Sequence, residues 1–343
     1  MAMGVFYDKN RVMIIAEAGV NHNGNYELAM KMIDVAAEAG ADYVKFQTAV
    51  PEEVISCYAP KAEYQKETTG NSESQLEMCR RIHLPLSAYA SLRDYCRSRG
   101  IGFMTTPFDF PSIECVAALK PDYWKIPSGE VTNLPYLRAI GAKGGKVILS
   151  TGMSTLDEVR KAVMILNECG TPSSQIALLH CTTQYPTPFG AVNLRAMNEL
   201  ASLGTAEVGY SDHTIGIEIP VAAVAMGARI IEKHFTLDRN MEGPDHRASL
   251  NPAELKDMIA AVRHVEEALG SGIKEVAESE RGNIEVARRS IVAGRAISKG
   301  EMLTSDNLKV KRPGNGLSPM LWDSVVGTRA VRDFLPDELI TLS

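Results

Sequence analysis

Val12-Met13-Ile14-Ile15-Ala16-Glu17-Ala18-Gly19-Val20-Asn21-His22-Asn23-Gly24 is the stretch whose reading decides the fold. Val12–Ala16 is a short apolar run and reads as a buried strand. Tyr26–Ala39 follows with Leu28, Met32, Ile33, Val35 and Ala36 apolar and Gly40 as a stop, the pattern of an amphipathic helix. A doubly wound dinucleotide-binding sheet is the alternative. It would carry GxGxxG after its first strand, and Glu17 to Gly24 does not spell it.

Working outward, strand candidates recur at Tyr43–Phe46, Gly102–Thr105, Tyr123–Ile126, Val147–Leu149, Ile176–Leu179, Glu207–Gly209 and Arg229–Lys233. Helical stretches follow each. Thr155–Cys169 is one, opened by Ser154 and closed by Gly170; Asn251–Leu269 is the last, with Pro252 in its first turn. Eight such units in about 270 residues predict an α/β fold, a (βα)8 TIM barrel, over 1–281. Beyond about residue 282 the pattern shortens to Ser290–Ala293, Leu303–Asn307, Lys309–Lys311 and Gly327–Ala330 between turns. Residues 282–343 hold nine Lys+Arg against seven Asp+Glu in a chain of net charge −6, and read as a small, mildly basic second domain.

That overall charge gives no general attraction for nucleic acid or anionic membrane. No apolar run reaches the ~18 residues of a membrane span. Val12–Val20 is too short, and interrupted by Glu17, for a secretory signal. Six cysteines without a CxxC pair argue against a zinc ribbon or a disulfide framework. A cytoplasmic protein is expected.

In such a barrel the chemistry sits at the C-terminal ends of the strands. Polar residues gather there: Glu17, then Lys45 and Gln47, Thr105-Thr106, Lys125 with Ser128 and Glu130, Ser150-Thr151, His180, Asp212-His213, and Glu232 with His234. Five histidines, His22, His180, His213, His234 and His246, fall on this one expected face. Lysines inside a barrel mouth must meet an anion or shift their pKa, so Lys45 and Lys125 point to a doubly charged ligand, phosphate above all. Ser128, Ser150 and Thr151 can complete its cradle. His213 and His234, at the ends of adjacent strands, can share a divalent ion. Glu17, Glu232, Asp212 and Asp245 are candidates for acid–base work or for orienting the other groups.

The runs Ile15 to Gly24, Val44-Lys45-Phe46-Gln47-Thr48, Trp124-Lys125-Ile126-Pro127-Ser128-Gly129-Glu130, Leu149-Ser150-Thr151-Gly152-Met153, Leu179-His180-Cys181-Thr182, Tyr185-Pro186-Thr187-Pro188, Ser211-Asp212-His213-Thr214 and Glu232-Lys233-His234-Phe235-Thr236 resemble the bacterial sialic acid synthases. These include the N-acetylneuraminate, legionaminate and pseudaminate synthases. Lys311-Arg312-Pro313-Gly314-Asn315-Gly316 resembles their C-terminal antifreeze-like (SAF, β-clip) domain. The resemblance implies condensation of phosphoenolpyruvate with an N-acetylated amino sugar, with release of phosphate. N-acetylmannosamine is the expected acceptor, and a 2,4-diacetamido-6-deoxy sugar the alternative. It implies a divalent metal ion, manganese in the first instance with magnesium or cobalt as substitutes, and a domain-swapped homodimer.

The resemblance further implies His213 and His234 as metal ligands and Glu17, Lys45, Lys125 and Glu232 as catalytic groups. Gln47, Ser128, Ser150, Thr183 and Ser211 would assist in holding phosphoenolpyruvate. Glu130, Tyr185 and Asp245 would hold the open-chain sugar, and Arg312 would contact its N-acetyl group from a second subunit. Two other classes compete. A Schiff-base lyase would use Lys45 or Lys125 covalently. A binding protein for ice or polysaccharide would lean on the tail, but would not need acids, lysines and histidines at nearly every strand end.

Overall fold

The computed structural model describes residues 6–8, 11–70 and 72–343, which divide into two compact units, 1–270 and 271–343. The first holds eight parallel strands: β1 Met13–Gly19, β2 Tyr43–Thr48, β3 Gly102–Pro107, β4 Tyr123–Ile126, β5 Lys146–Ser150, β6 Ile176–Cys181, β7 Glu207–Asp212 and β8 Ile230–His234. They pair in the order β3-β2-β1-β8-β7-β6-β5-β4. β3 and β4 come side by side without a ladder among the described residues, so the (βα)8 barrel is nearly closed. Most strands extend past the expected ends by one to three residues, into the polar positions that carry the chemistry.

Period-two alternation sorts every strand into two faces. Outward residues such as Ile14, Val44 and Ile231 pack on helices including Tyr26–Ala39 and Pro252–Leu269. Trp124, Ile126, Leu149 and Leu178 pack in a second outer cluster. Each fully buried Val, Leu or Ile side chain contributes about 1.5–3 kcal/mol. The inward residues Met13, Ile15, Met104, Tyr123, Ile148, Ala177, Leu179 and Ile230 fill the barrel floor. Local chemistry sets the helix starts. The Asn25 side chain accepts from the amides of Glu27 and Leu28. Thr155, rather than Ser154, caps Leu156–Glu168 in a reciprocal box with Glu158, because only the residue immediately before the helix can reach the third helical amide.

Between β2 and β3 the chain makes an excursion through the helices Pro51–Val54, Glu63–Thr69, Gln75–Ile82 and Ala88–Ser98. The first unit ends where Leu269 is followed by Gly270 at φ +58°. Residues 271–281 belong to the second unit, so the change of pattern read near 282 lies inside that unit. There β9 Ser290–Ala293 pairs antiparallel with β10 Leu308–Lys311. Leu303–Asn307 and Gly327–Ala330 form no strand; Arg329 of the second makes a single bridge to Met302, just before the first. Ile291, Ile297, Leu303, Leu308, Val325, Phe334 and Ile340 supply a core of the unit's own. No described helix is long and apolar enough to cross a membrane.

Gly209 shows how tightly the barrel interior is filled. A Cβ there would stand 2.3 Å from the Ile230 carbonyl oxygen and 2.7 Å from Leu179. Gly209→Ala is expected to lower stability by about 1–3 kcal/mol, read as a reduced denaturation midpoint. An unchanged midpoint would show that the interior yields where the packing says it cannot.

Candidate active site

Above the apolar floor, the next inward position of each strand is polar. β1 supplies Glu17, β2 Lys45, β3 Thr106, β4 Lys125, β5 Ser150, β6 Cys181, β7 Ser211 and β8 Glu232. They line a cavity of about 170 Å3 together with Gln47, Ser128, Thr183, Tyr185, His213 and His234. The four charged groups are almost wholly buried, with Glu17 1%, Lys125 2%, Lys45 3% and Glu232 4% exposed.

These charges satisfy one another. The Lys45 ammonium lies 3.0 Å from Glu17 Oε2 and 3.6 Å from Glu232 Oε2, and donates to Thr106 Oγ1 at 3.1 Å. Lys125 donates to Ser150 Oγ at 2.8 Å and stands 3.4 Å from Glu232 Oε1, which also accepts from the Ser211 hydroxyl at 3.1 Å. Glu232 therefore sits between two cations, whereas Glu17 has one, with Gln47 donating to it at 3.4 Å. Burial works to raise both carboxyls. At Glu232 the opposing pull of Lys125 and Lys45 wins and the pKa falls. At Glu17 burial, helped by the Glu232 charge, outweighs Lys45 and the pKa rises to about 7. Burial lowers Lys125 as well, against the pull of Glu232. At Lys45 burial is outweighed by Glu17 and Glu232, and its pKa rises. A pair of cations ringed by hydroxyls is suited to an anionic ligand, and a carboxyl that titrates near neutrality is suited to moving a proton.

His213 and His234 face each other, ring centroids 5.4 Å apart, with Tyr185 against both. His213 Nδ1 donates to the Thr182 carbonyl at 2.6 Å, which leaves Nε2 as its free lone pair. His234 Nδ1 is buried without a hydrogen-bond partner among the described residues. Desolvation lowers both imidazoles, His213 to about 4, so both are neutral donors near pH 7. The pair fits a divalent ion with open positions for other ligands. No cluster of three or more His, Cys, Asp or Glu set for a metal occurs among the described residues.

The other three histidines of the expected face lie elsewhere. His180 alternates outward from Leu179 and Cys181, and its Nε2 meets the Val192 carbonyl at 2.7 Å. His22 accepts from the Gly24 amide through Nδ1, and His246 Nδ1 bonds the Thr236 hydroxyl. Asp245 lines an adjoining cavity that shares Gln47, Phe108, Tyr185 and His234 with the first. Burial alone raises its pKa to about 6. Glu130 lies in the single turn Ser128–Glu130, half-buried and bonded by Asn133, and does not line the first cavity. Thr151 donates to the Leu179 carbonyl, and Arg312 is an exposed residue of the second unit. Thr106, one of the polar residues expected at the strand ends, and Cys181, which was not among them, also line the site. Cys181 Sγ lies 3.1 Å from the Ser128 hydroxyl, which also accepts from the Gly152 amide. Their inward parity with Met104 and Leu179 was the available signal.

On the outer face, Asp212 and Lys233 are paired across β7 and β8, both fully buried. Asp212 accepts from Tyr210 and Thr214, and Lys233 also donates to the Thr214 carbonyl. This network ties down the two strand ends that carry His213 and His234. Lys233→Met is expected to cost about 3–5 kcal/mol by leaving Asp212 charged and unpaired, and adding Asp212→Asn should restore part of it. Denaturant midpoints of the single and double variants check this; equal losses in both would refute the pairing argument.

Residues 32–274 match the NeuB family and residues 288–343 the SAF domain. The chain is 49% identical over 330 residues, 96% of its own length and 99% of the other's, to the N,N'-diacetyllegionaminic acid synthase of Campylobacter jejuni. It is 43% identical to the enzyme of the same name from Legionella pneumophila, over 92% of this chain and 89% of that one. Among solved structures it resembles N-acetylneuraminic acid (sialic acid) synthetase from Leptospira borgpetersenii in complex with citrate. The TM-score is 0.69 at 35% identity, covering 80% of this chain and 90% of the other.

Proposed function

The chain belongs to the NeuB family, and we propose that it is a nonulosonic acid synthase that condenses phosphoenolpyruvate with a 2,4-diacetamido-6-deoxy mannose-type sugar. The observation that carries the reaction is the buried pair Lys45 and Lys125 beside a carboxyl whose pKa lies near neutrality. The acceptor reading departs from the N-acetylmannosamine expected on general similarity. It is supported by 49% and 43% identity to synthases named for N,N'-diacetyllegionaminic acid, against 35% to the neuraminic acid synthetase.

In this reading Lys45 and Lys125 hold the carboxylate and phosphate of phosphoenolpyruvate, with Ser128, Ser150, Thr183, Ser211 and Gln47 assisting. Glu232 favours the charged form of both lysines. His213 and His234 would hold a divalent ion, manganese in the first instance, which would supply Lewis-acid polarisation of the acceptor's aldehyde. C3 of phosphoenolpyruvate attacks that carbon, and water adds at C2 as Glu17 takes its proton. Collapse of the tetrahedral carbon expels phosphate, whose charge the two lysines stabilise. Tyr185, Asp245 and Glu130 position the sugar. We place the reaction in the cytoplasm, in keeping with six free cysteines.

A second reading has one specific observation behind it: the lowered pKa of Lys125 also suits a Schiff-base lysine. One assay separates the possibilities. Phosphate release is followed with phosphoenolpyruvate and each candidate sugar, after EDTA and after manganese is restored. The diacetamido sugar is expected to exceed N-acetylmannosamine by about tenfold or more in kcat/KM, with activity lost to EDTA and regained with manganese. A preference for N-acetylmannosamine would overturn the acceptor reading, and an EDTA-resistant, borohydride-trapped lysine would overturn the synthase.

The homodimer, with Arg312 serving the barrel of a second copy, belongs to the same proposal. Glu17→Gln and Arg312→Ala are each expected to be nearly inactive alone. Subunit exchange should then restore activity, because one site of each mixed dimer carries neither defect. Mixed dimers that stay inactive would sink the arrangement.

A further inference from the structure

The cavity that adjoins the charged one measures about 210 Å3 and has two unlike kinds of lining. One is the Asp245 carboxyl, 7% exposed, with no hydrogen-bond or ion-pair partner for its side chain among the described residues. A buried carboxylate in that position is suited to accept hydrogen bonds from ligand hydroxyls. The other is Val20, Met78 and Ile82, exposed by 3%, 1% and 2%, which form one apolar cluster with Cys79. Met78 and Ile82 come from the helix Gln75–Ile82 of the β2–β3 excursion, and Val20 from the turn after β1.

Two polar atoms of the cavity lining are already engaged. His83 Nδ1 bonds the Cys79 carbonyl, and the Gln65 side-chain oxygen accepts from the Ala62 amide. The adjoining cavity shares Gln47, Tyr185 and His234 with the charged one, so a ligand whose reactive end lies by His234 can extend its far end here. That far end needs hydroxyls for Asp245 and an apolar group for the wall.

We infer that Val20, Met78 and Ile82 form a specificity wall that receives the C6 methyl of a 6-deoxy acceptor, in the same cavity as the Asp245 carboxylate that takes its hydroxyls. This rests on the synthase reading above and extends it to residues not otherwise assigned. A C6 hydroxyl placed against Val20, Met78 and Ile82 would lose its water without gaining a hydrogen bond from those three side chains. A hydrophobic pocket rejects such an added hydroxyl by at most about a hundredfold.

The test compares acceptors that differ only at O6, 6-deoxy against 6-hydroxy, in two series with hydroxyl or acetamido at C4. The O6 contrast is read within whichever series turns over, and the C4 contrast tests the acceptor reading separately. The wild type is expected to prefer the 6-deoxy member by about tenfold to a hundredfold in kcat/KM. Ile82→Thr and Ile82→Val have nearly the same shape and differ by a hydroxyl in place of a methyl. Ile82→Val should keep most of the preference, and Ile82→Thr should reduce it at least about threefold further. Val20→Thr gives a second reading should Ile82→Thr fail to fold, with phosphoenolpyruvate affinity by calorimetry as the check that the barrel is intact. A wild-type preference near one, or equal ratios in the foldable Thr variant and its parent or Val control, would overturn the wall. Absence of turnover in both series would overturn the synthase reading and this inference with it.

Discussion

Two lysines and two glutamates share one layer of a barrel interior whose next layer down is apolar, and the architecture above it depends on their mutual pairing. Burying an ionised group costs several kcal/mol unless partners replace its water. Here they do: Glu232 spans Lys45 and Lys125, Glu17 answers Lys45, and the hydroxyls of Thr106, Ser150 and Ser211 take up further hydrogen-bonding capacity. The groups come from β1, β2, β4 and β8, so the pairing is possible only when the strands close on each other in this register.

The unequal sharing of cations has a chemical result. Glu232, between two ammonium groups, stays ionised, while Glu17, with one, is held near its point of titration. An anion drawn to Lys45 competes with Glu17 for the same ammonium, and any loosening of that pair raises the Glu17 pKa further. Ligand binding and the protonation of the base are thereby linked through a single side chain.

Much of this was legible in the sequence, for a definite reason. Strand residues two apart face the same way, so Lys45 with Gln47 and Glu232 with His234 could be placed together before any coordinates. The same rule, applied one residue more strictly, separates His180 from the site, since its neighbours Leu179 and Cys181 point inward. His22 lies in a turn and His246 in the single 3-10 turn His246–Ala248, where strand periodicity does not operate. The outward Asp212–Lys233 pair was hidden because each residue adjoins a residue of the site and neither shows its partner. Least legible was the excursion between β2 and β3. Helix starts such as Ser74 with Glu77 are local signals, but the docking of Gln75–Ile82 beside Val20 depends on tertiary packing that no short window encodes.

The unladdered edge between β3 and β4 also matters for motion. The outer packing follows it: one apolar cluster spans β7, β8, β1 and β2 with their helices, another β4 to β6 with theirs. Parting at that edge breaks no inter-strand hydrogen-bond ladder among the described residues, whereas parting anywhere else in the ring breaks one. Amide hydrogen exchange that resolves two cooperative arcs rather than one uniform ring would show that the barrel opens there. Lys45 stands on one side of that edge and Lys125 on the other, so breathing of the barrel changes the spacing of the two cations while leaving each attached to its own arc.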